Sequence, residues 1–190
     1  MPGGGKSTVG RQLGRRLNYA FVDSDHVIER RIGTSIRQFF EQEGEDAFRD
    51  IEQQVIGEQA ALRQGVLATG GGAVLREASR QLLHADCIVI YLRSSPEELF
   101  RRLRHDTHRP LLQVKNPLGR LRELYAQRDP LYRETAHFVI ETGRPSVHTL
   151  VNMILMQLEL AGVIAADAAP ASIGIADAGN ARKSSGPGPG

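Results

Sequence analysis

A chain of 190 residues has room for one domain with a genuine core, and 41% hydrophobic with 24% charged residues excludes a disordered, collagen-like or membrane-embedded chain. Net charge is only +2, because 22 acidic residues offset 24 basic ones, which excludes a polycationic nucleic-acid tail. All but three basic residues are arginine, whose planar fork suits carboxylates and phosphates, so small anions are the expected partners; a GC-rich genome would give the same bias.

In chain order, Gly3-Gly4-Gly5-Lys6-Ser7-Thr8 runs straight into a helical pattern over Lys6 to Leu17. Successive glycines let backbone amides turn toward one anion, and the helix N-terminus adds partial positive charge. The pattern is the end of a P-loop, in which Lys6 reaches the β- and γ-phosphates of ATP and the Ser7 hydroxyl ligates Mg²⁺. The motif's first glycine falls before Met1, and so does the buried strand that leads into such loops. The sheet is therefore expected to lack its first central strand.

A strand is predicted over Tyr19 to Asp23, with Asp23-Ser24-Asp25 at its C-terminal end, ahead of a helix-like stretch from His26 to Arg31. Ligands of open α/β sheets bind at such ends. Continued alternation would put Asp23 and Asp25 on one side, one to hold Mg²⁺ through water and one to receive a hydroxyl proton. Ser24 or Asp25 would serve equally as a helix cap.

The spacing of Phe48, Ile51, Val55 and Leu62 predicts a helix over Glu45 to Arg63, with Arg49 at its beginning. Val66 to Thr69 reads as a buried strand ending in Gly70-Gly71-Gly72, where a ligand can approach the backbone. A tight turn needs one glycine, not three. Cys87 to Leu92 is the next strand, and Ser95-Pro96-Glu97-Glu98 starts a helix with a Ser cap, an early Pro and acids at the positive dipole end.

Arg101, Arg102 and Arg104 lack the interleaved aromatics of a single-strand nucleic-acid platform, so no nucleic-acid partner is expected. Arg109 lies in the Pro-bounded stretch His108-Arg109-Pro110-Leu111-Leu112, which suits a mobile lid, and Arg128 precedes Asp129-Pro130-Leu131-Tyr132. Taken singly, such arginines are usually solvated. A strand over His137 to Glu141 and a helix over Val147 to Leu160 close the domain, and 162–190 reads as an Ala/Gly/Pro-rich tail. The last helix is interrupted by Asn152, Gln157 and Glu159, making it a poor bilayer span, and no apolar signal core opens the chain, so no membrane partner is expected. Cys87 stands alone, which fits a reducing cytoplasm. Alternating strands and helices imply right-handed βαβ units and a three-layer α/β/α sandwich around a parallel sheet.

Together, GGGKSTVGRQL, FVDSD, GTSIRQFFEQEGEDAFRDIE, VLATGGGAV, VIYL, RPLL and QRDPLY resemble shikimate kinase, a P-loop kinase of the nucleoside-monophosphate-kinase-like group, from residue 3 to about 145. The resemblance implies one kinase domain over 1–161 with a lid near 102–116, usually monomeric. It implies ATP-dependent phosphorylation of the 3-hydroxyl of shikimate. By the same resemblance Gly3, Gly4, Gly5, Lys6, Ser7 and Thr8 hold ATP phosphates, and Ser7 and Asp23 serve Mg²⁺. Asp25 takes the reacting hydroxyl, while Arg49 and Arg128 grip the substrate carboxylate beside Gly70, Gly71 and Gly72. Arg109 closes over the transferred phosphate, and Arg102 and Pro145 lie on the adenine side. The alternatives are a related small-molecule kinase, such as a gluconate-type kinase, and an inactive or truncated nucleotide-binding relic. A nucleotide acceptor fits poorly with a carboxylate clamp.

Overall fold

The computed structural model describes residues 5–62, 64–103, 114–143 and 145–165. Gly3, Gly4, Arg109, most of the expected lid and most of the expected tail lie outside them. In order, the described elements are α1 (Lys6–Leu17), β1 (Ala20–Asp23), α2 (Ser24–Ile32), α3 (Ile36–Ala60), β2 (Gly65–Ala68), α4 (Glu77–Asp86), β3 (Ile90–Arg93), α5 (Pro96–Leu103), α6 (Pro117–Thr135), β4 (Phe138–Glu141) and α7 (Val147–Leu160).

The strands form two parallel pairs. In one, Asp23 at the end of β1 lies opposite Ala68 at the end of β2; in the other, Arg93 of β3 lies opposite Glu141 of β4. Among the described residues β2 and β3 are not hydrogen-bonded to each other. One apolar cluster nonetheless underlies both pairs. Val9 and Leu13 of α1 and Val151, Ile154 and Leu155 of α7 meet Val66 of β2, Ile90 and Leu92 of β3, and Phe138 of β4. A separate cluster joins Ile56 of α3, Ala73 of the segment after β2 and Leu83 of α4 to Val89, just before β3. The α/β architecture expected from the alternation is present.

Local chemistry explains the boundaries. α3 opens on a reciprocal cap, with Ser35 Oγ accepting from the Gln38 amide at 3.2 Å and Gln38 reaching back to the Ser35 amide. It bends at Gly44, whose φ of 84° only glycine adopts without strain, so the predicted helix start at Glu45 is a kink inside a longer helix. α5 carries the predicted Ser95 cap: Ser95 Oγ accepts from the Glu98 amide at 3.2 Å, and the Glu98 carboxylate accepts from the Ser95 amide at 3.0 Å. α6 was not predicted, because Pro130 interrupts its pattern; it starts where Asn116 Oδ1 accepts from the Gly119 amide at 2.9 Å, with Pro117 at the first turn. No described helix is long and apolar enough to cross a membrane.

Candidate active site

The functional residues gather at the C-terminal ends of β1 and β2. Gly5 caps α1 with φ of 75°, a left-handed conformation suited to glycine, and Lys6, Ser7 and Thr8 form the helix's first turn. Gly5, Ser7 and Thr8 are exposed there. Ser7 Oγ donates to Asp23 Oδ2 at 2.6 Å, joining the hydroxyl and the carboxylate expected to serve one cation. Among the described residues no cluster of three or more His, Cys, Asp or Glu side chains could hold a metal.

The expected extended path through Asp25 does not occur. The chain turns into α2 at Ser24, and the cap is Asp23 rather than Ser24 or Asp25: Asp23 Oδ1 accepts from the Asp25 amide at 3.1 Å. Helical geometry replaces alternation because Asp23 itself satisfies the first orphan amide. Ser24 is fully buried instead, and its Oγ accepts from the Gly70 amide at 3.1 Å, fastening the end of β1 to the turn after β2. Asp25 then stands in the first turn of α2, beside Gly70. Burial, with help from the nearby Asp23 and Glu52 carboxylates, pushes the Asp25 carboxyl up to about 6, against a smaller opposing pull from Lys6.

The three glycines are where α2, α3 and α6 converge on the end of β2. A methyl group on Gly70 would come within 2.6 Å of Asp25 Oδ1 and 3.1 Å of Glu52 Oε1. One on Gly72 would run into the guanidinium of Arg49. The carbonyl of Gly71 accepts from Arg128 Nη1 at 3.0 Å and from the Tyr132 hydroxyl at 2.6 Å, both from α6. Gly70's amide is taken by Ser24, so it is not the free donor that a run of glycines suggests. Arg49, inside α3 rather than at its start, donates from Nη1 to Glu52 Oε2 at 2.5 Å and from Nη2 to Glu45 Oε1 at 3.0 Å, and its guanidinium lies 5.2 Å from the Phe48 ring centroid.

Arg102 and Pro145 lie at the other strand pair. Arg102 Nη1 donates to Ser94 Oγ at 3.3 Å and Nη2 to the Thr142 carbonyl, which places Arg102 against the loop that carries Pro145. Sequence reasoning missed Glu52, which is 3% exposed and whose Oε1 has no hydrogen-bond partner. Its signal is visible in hindsight: Phe48, Glu52 and Val55 share the buried stripe of α3, and an acid there must have a partner. Asp129 and Tyr132 follow Arg128 in the QRDPLY segment, and the sequence alone assigns them no role.

The profile of the family "Shikimate kinase" matches residues 2–159. The chain belongs to the shikimate kinase family. A shikimate kinase from Paracidovorax citrulli (strain AAC00-1) is 61% identical over 166 residues, spanning 86% of this chain and 91% of that protein. One from Burkholderia thailandensis (strain ATCC 700388 / DSM 13276 / CCUG 48851 / CIP 106301 / E264) is 58% identical over 163 residues, spanning 86% and 89%. Among solved structures, a shikimate kinase from Acinetobacter baumannii in complex with shikimate superposes with a TM-score of 0.78 at 46% identity, covering 84% of this chain and 89% of that one. Family membership makes the chain a kinase, a phosphotransferase of the P-loop α/β type, as the motifs imply.

Proposed function

We propose that this chain moves the γ-phosphoryl group of ATP to the 3-hydroxyl of shikimate, giving shikimate 3-phosphate and ADP. One observation carries the acceptor assignment. Two guanidiniums from different helices, Arg49 of α3 and Arg128 of α6, converge on the Gly71–Gly72 turn, beside an acid whose proton affinity is raised. Paired arginine forks are the geometry that grips a carboxylate, and they would fix the far end of the substrate.

Asp25 then accepts the proton of the attacking hydroxyl as the oxygen bonds to phosphorus and ADP leaves. A group titrating near 6 is ionised at neutral pH yet basic enough to take that proton. Lys6, with the amides of the first turn of α1, holds the phosphates, and Thr8 lies in the same turn. Ser7 and Asp23 fit Mg²⁺: both supply oxygen ligands, they adjoin at 2.6 Å, and Ser7 is exposed, as suits a cation that keeps water and phosphate oxygens. When bound, the ion neutralises phosphate charge. Arg109, outside the described residues, is assigned to the transferring phosphate, with Gly3 and Gly4 on the phosphate loop and Arg102 and Pro145 on the adenine side, by resemblance alone. The proposal includes a monomer in the cytoplasm, the latter supported by the single cysteine.

The test is an ADP-release assay across shikimate, gluconate and nucleoside monophosphates, repeated with Arg49→Lys. Lysine keeps a charge beside buried Glu52 but loses the bidentate fork. Shikimate should be the preferred acceptor, and its KM should rise roughly tenfold or more in the variant while that for ATP stays within about twofold. Equal turnover on gluconate, or equal KM changes for both substrates, would overturn the assignment.

A further inference from the structure

Arg128 sits in the weakest turn of its own helix. Pro130 has no amide to offer the Ala126 carbonyl, and its ring crowds that oxygen, so helical hydrogen bonding alone does not fix the turn. The neighbouring Asp129 is 8% exposed and is hydrogen-bonded to β3. Its Oδ1 accepts from the Tyr91 hydroxyl at 2.9 Å and from Arg93 Nε at 3.1 Å, and its Oδ2 from Arg133 Nε at 2.8 Å. Burial would raise its pKa, but these donors hold it below the usual carboxylate range, so it is charged at neutral pH.

The network continues to the site. The Tyr91 ring stacks on that of Tyr132 with centroids 4.8 Å apart, and the Tyr132 hydroxyl donates to the Gly71 carbonyl that Arg128 also contacts. Arg128 and Tyr132, four residues apart, share one helical face; Asp129 and Arg133 share the next. Fixing Asp129 on β3 therefore fixes the rotation of the turn that presents Arg128.

We infer that Asp129 is a positioning residue for substrate binding: it locks the proline-weakened turn of α6 onto β3 and so aims the Arg128 guanidinium at the glycine turn where the substrate carboxylate docks. The inference rests on the proposed carboxylate role of Arg128. It differs from a general stabilising role in one measurable way, because its effect must pass through Arg128.

The experiment is a double-mutant cycle in the full chain, Asp129→Asn with Arg128→Ala, reading shikimate and ATP affinities by titration calorimetry, KM values and thermal midpoints. Asp129→Asn alone should weaken shikimate roughly tenfold, the scale of a lost charged hydrogen bond, and leave ATP within about twofold. In the Arg128→Ala background the same change should cost less than about twofold. A tenfold loss in both backgrounds, or equal losses for shikimate and ATP, overturns the inference. Should Asp129→Asn fail to fold, Tyr91→Phe removes one of its donors while keeping the stacked ring; shikimate affinity should then fall selectively by a smaller factor, and no change would overturn the inference. Arg128→Ala alone reads the carboxylate role separately. If it leaves shikimate affinity intact, the clamp fails, and Asp129 has nothing to position.

Discussion

Asp25→Asn should make the protein more stable at neutral pH and nearly inactive. Asp25 is pushed from 3.8 to about 6, first by burial and then by Asp23 and Glu52. A folded-state pKa above the unfolded value means that the native state holds the proton more tightly. The resulting stabilisation is complete below about pH 4 and is lost as pH rises through about 6. Two units correspond to about 3 kcal/mol, an upper bound on what the charge costs the folded state above that window. The amide still sits in a half-buried place, and Lys6 loses its attraction, so a net gain of about 1–2 kcal/mol is expected. For a domain of this size that raises the melting temperature by roughly 3–6 °C.

Thermal unfolding followed by circular dichroism from about pH 4 to about pH 8 measures it. The two melting curves should meet near pH 4, diverge between about pH 4 and 6 and run parallel above it, with the variant higher. A constant offset across that range, or a variant less stable at pH 8, would show that Asp25 carries no strained charge. Turnover should fall by about 10²–10⁴ in the same variant if Asp25 takes the hydroxyl proton. In the parent protein kcat/KM for shikimate should decline below an apparent pKa near 6.

Two further predictions test other parts of the site. Gly72→Ala pushes a methyl group into the Arg49 guanidinium, so shikimate KM should rise roughly tenfold or more with ATP KM nearly unchanged; a parental shikimate KM would mean that Arg49 does not need its observed place. Ser7→Ala removes the hydroxyl that lies 2.6 Å from Asp23, so the Mg²⁺ concentration for half-maximal activity should increase severalfold while shikimate affinity holds. An unchanged Mg²⁺ dependence would remove Ser7 from the cation's surroundings.

How far the sequence revealed this molecule follows from what each feature depends on. α1 matches its expected bounds, three strands fall within one residue of theirs and β3 starts three residues later than expected, because apolar periodicity and strand-end glycines are local signals. α6 is illegible for a local reason too: Pro130 ordinarily ends a helix, while this one runs on through it, packed against α5 and α4. Arg49 and Arg128 were found through motifs that a single arginine on a helix would never justify. Glu52 and Asp129 were not singled out, since an acid in a helical pattern normally faces solvent and their burial is a tertiary fact. The Asp23-Ser24-Asp25 triplet shows both sides. Its place at a strand end was legible, but the expected alternation failed because Asp23 caps α2 and turns the chain.

The triple glycine then has a physical explanation that one tight turn does not supply. At Gly70 the missing side chain leaves room for the Asp25 and Glu52 carboxylates to approach, and the amide is spent on Ser24 to hold β1 and β2 in register at the site. At Gly71 the carbonyl faces α6 and gathers Arg128 and Tyr132. At Gly72 the vacant space is filled by the Arg49 guanidinium. Gly70 and Gly72 thus each leave space for a different side chain, whereas Gly71 contributes a backbone carbonyl that any residue would supply. The arrangement crowds Asp25 against Glu52, whose Oε1 is buried without a partner, and Arg49 satisfies only Glu52's other oxygen. Such crowding costs stability, since a buried unpaired acceptor is worth about 1–3 kcal/mol. The same contacts that raise the proton affinity of Asp25 are therefore held at a cost in stability, in the space that Gly70 leaves open.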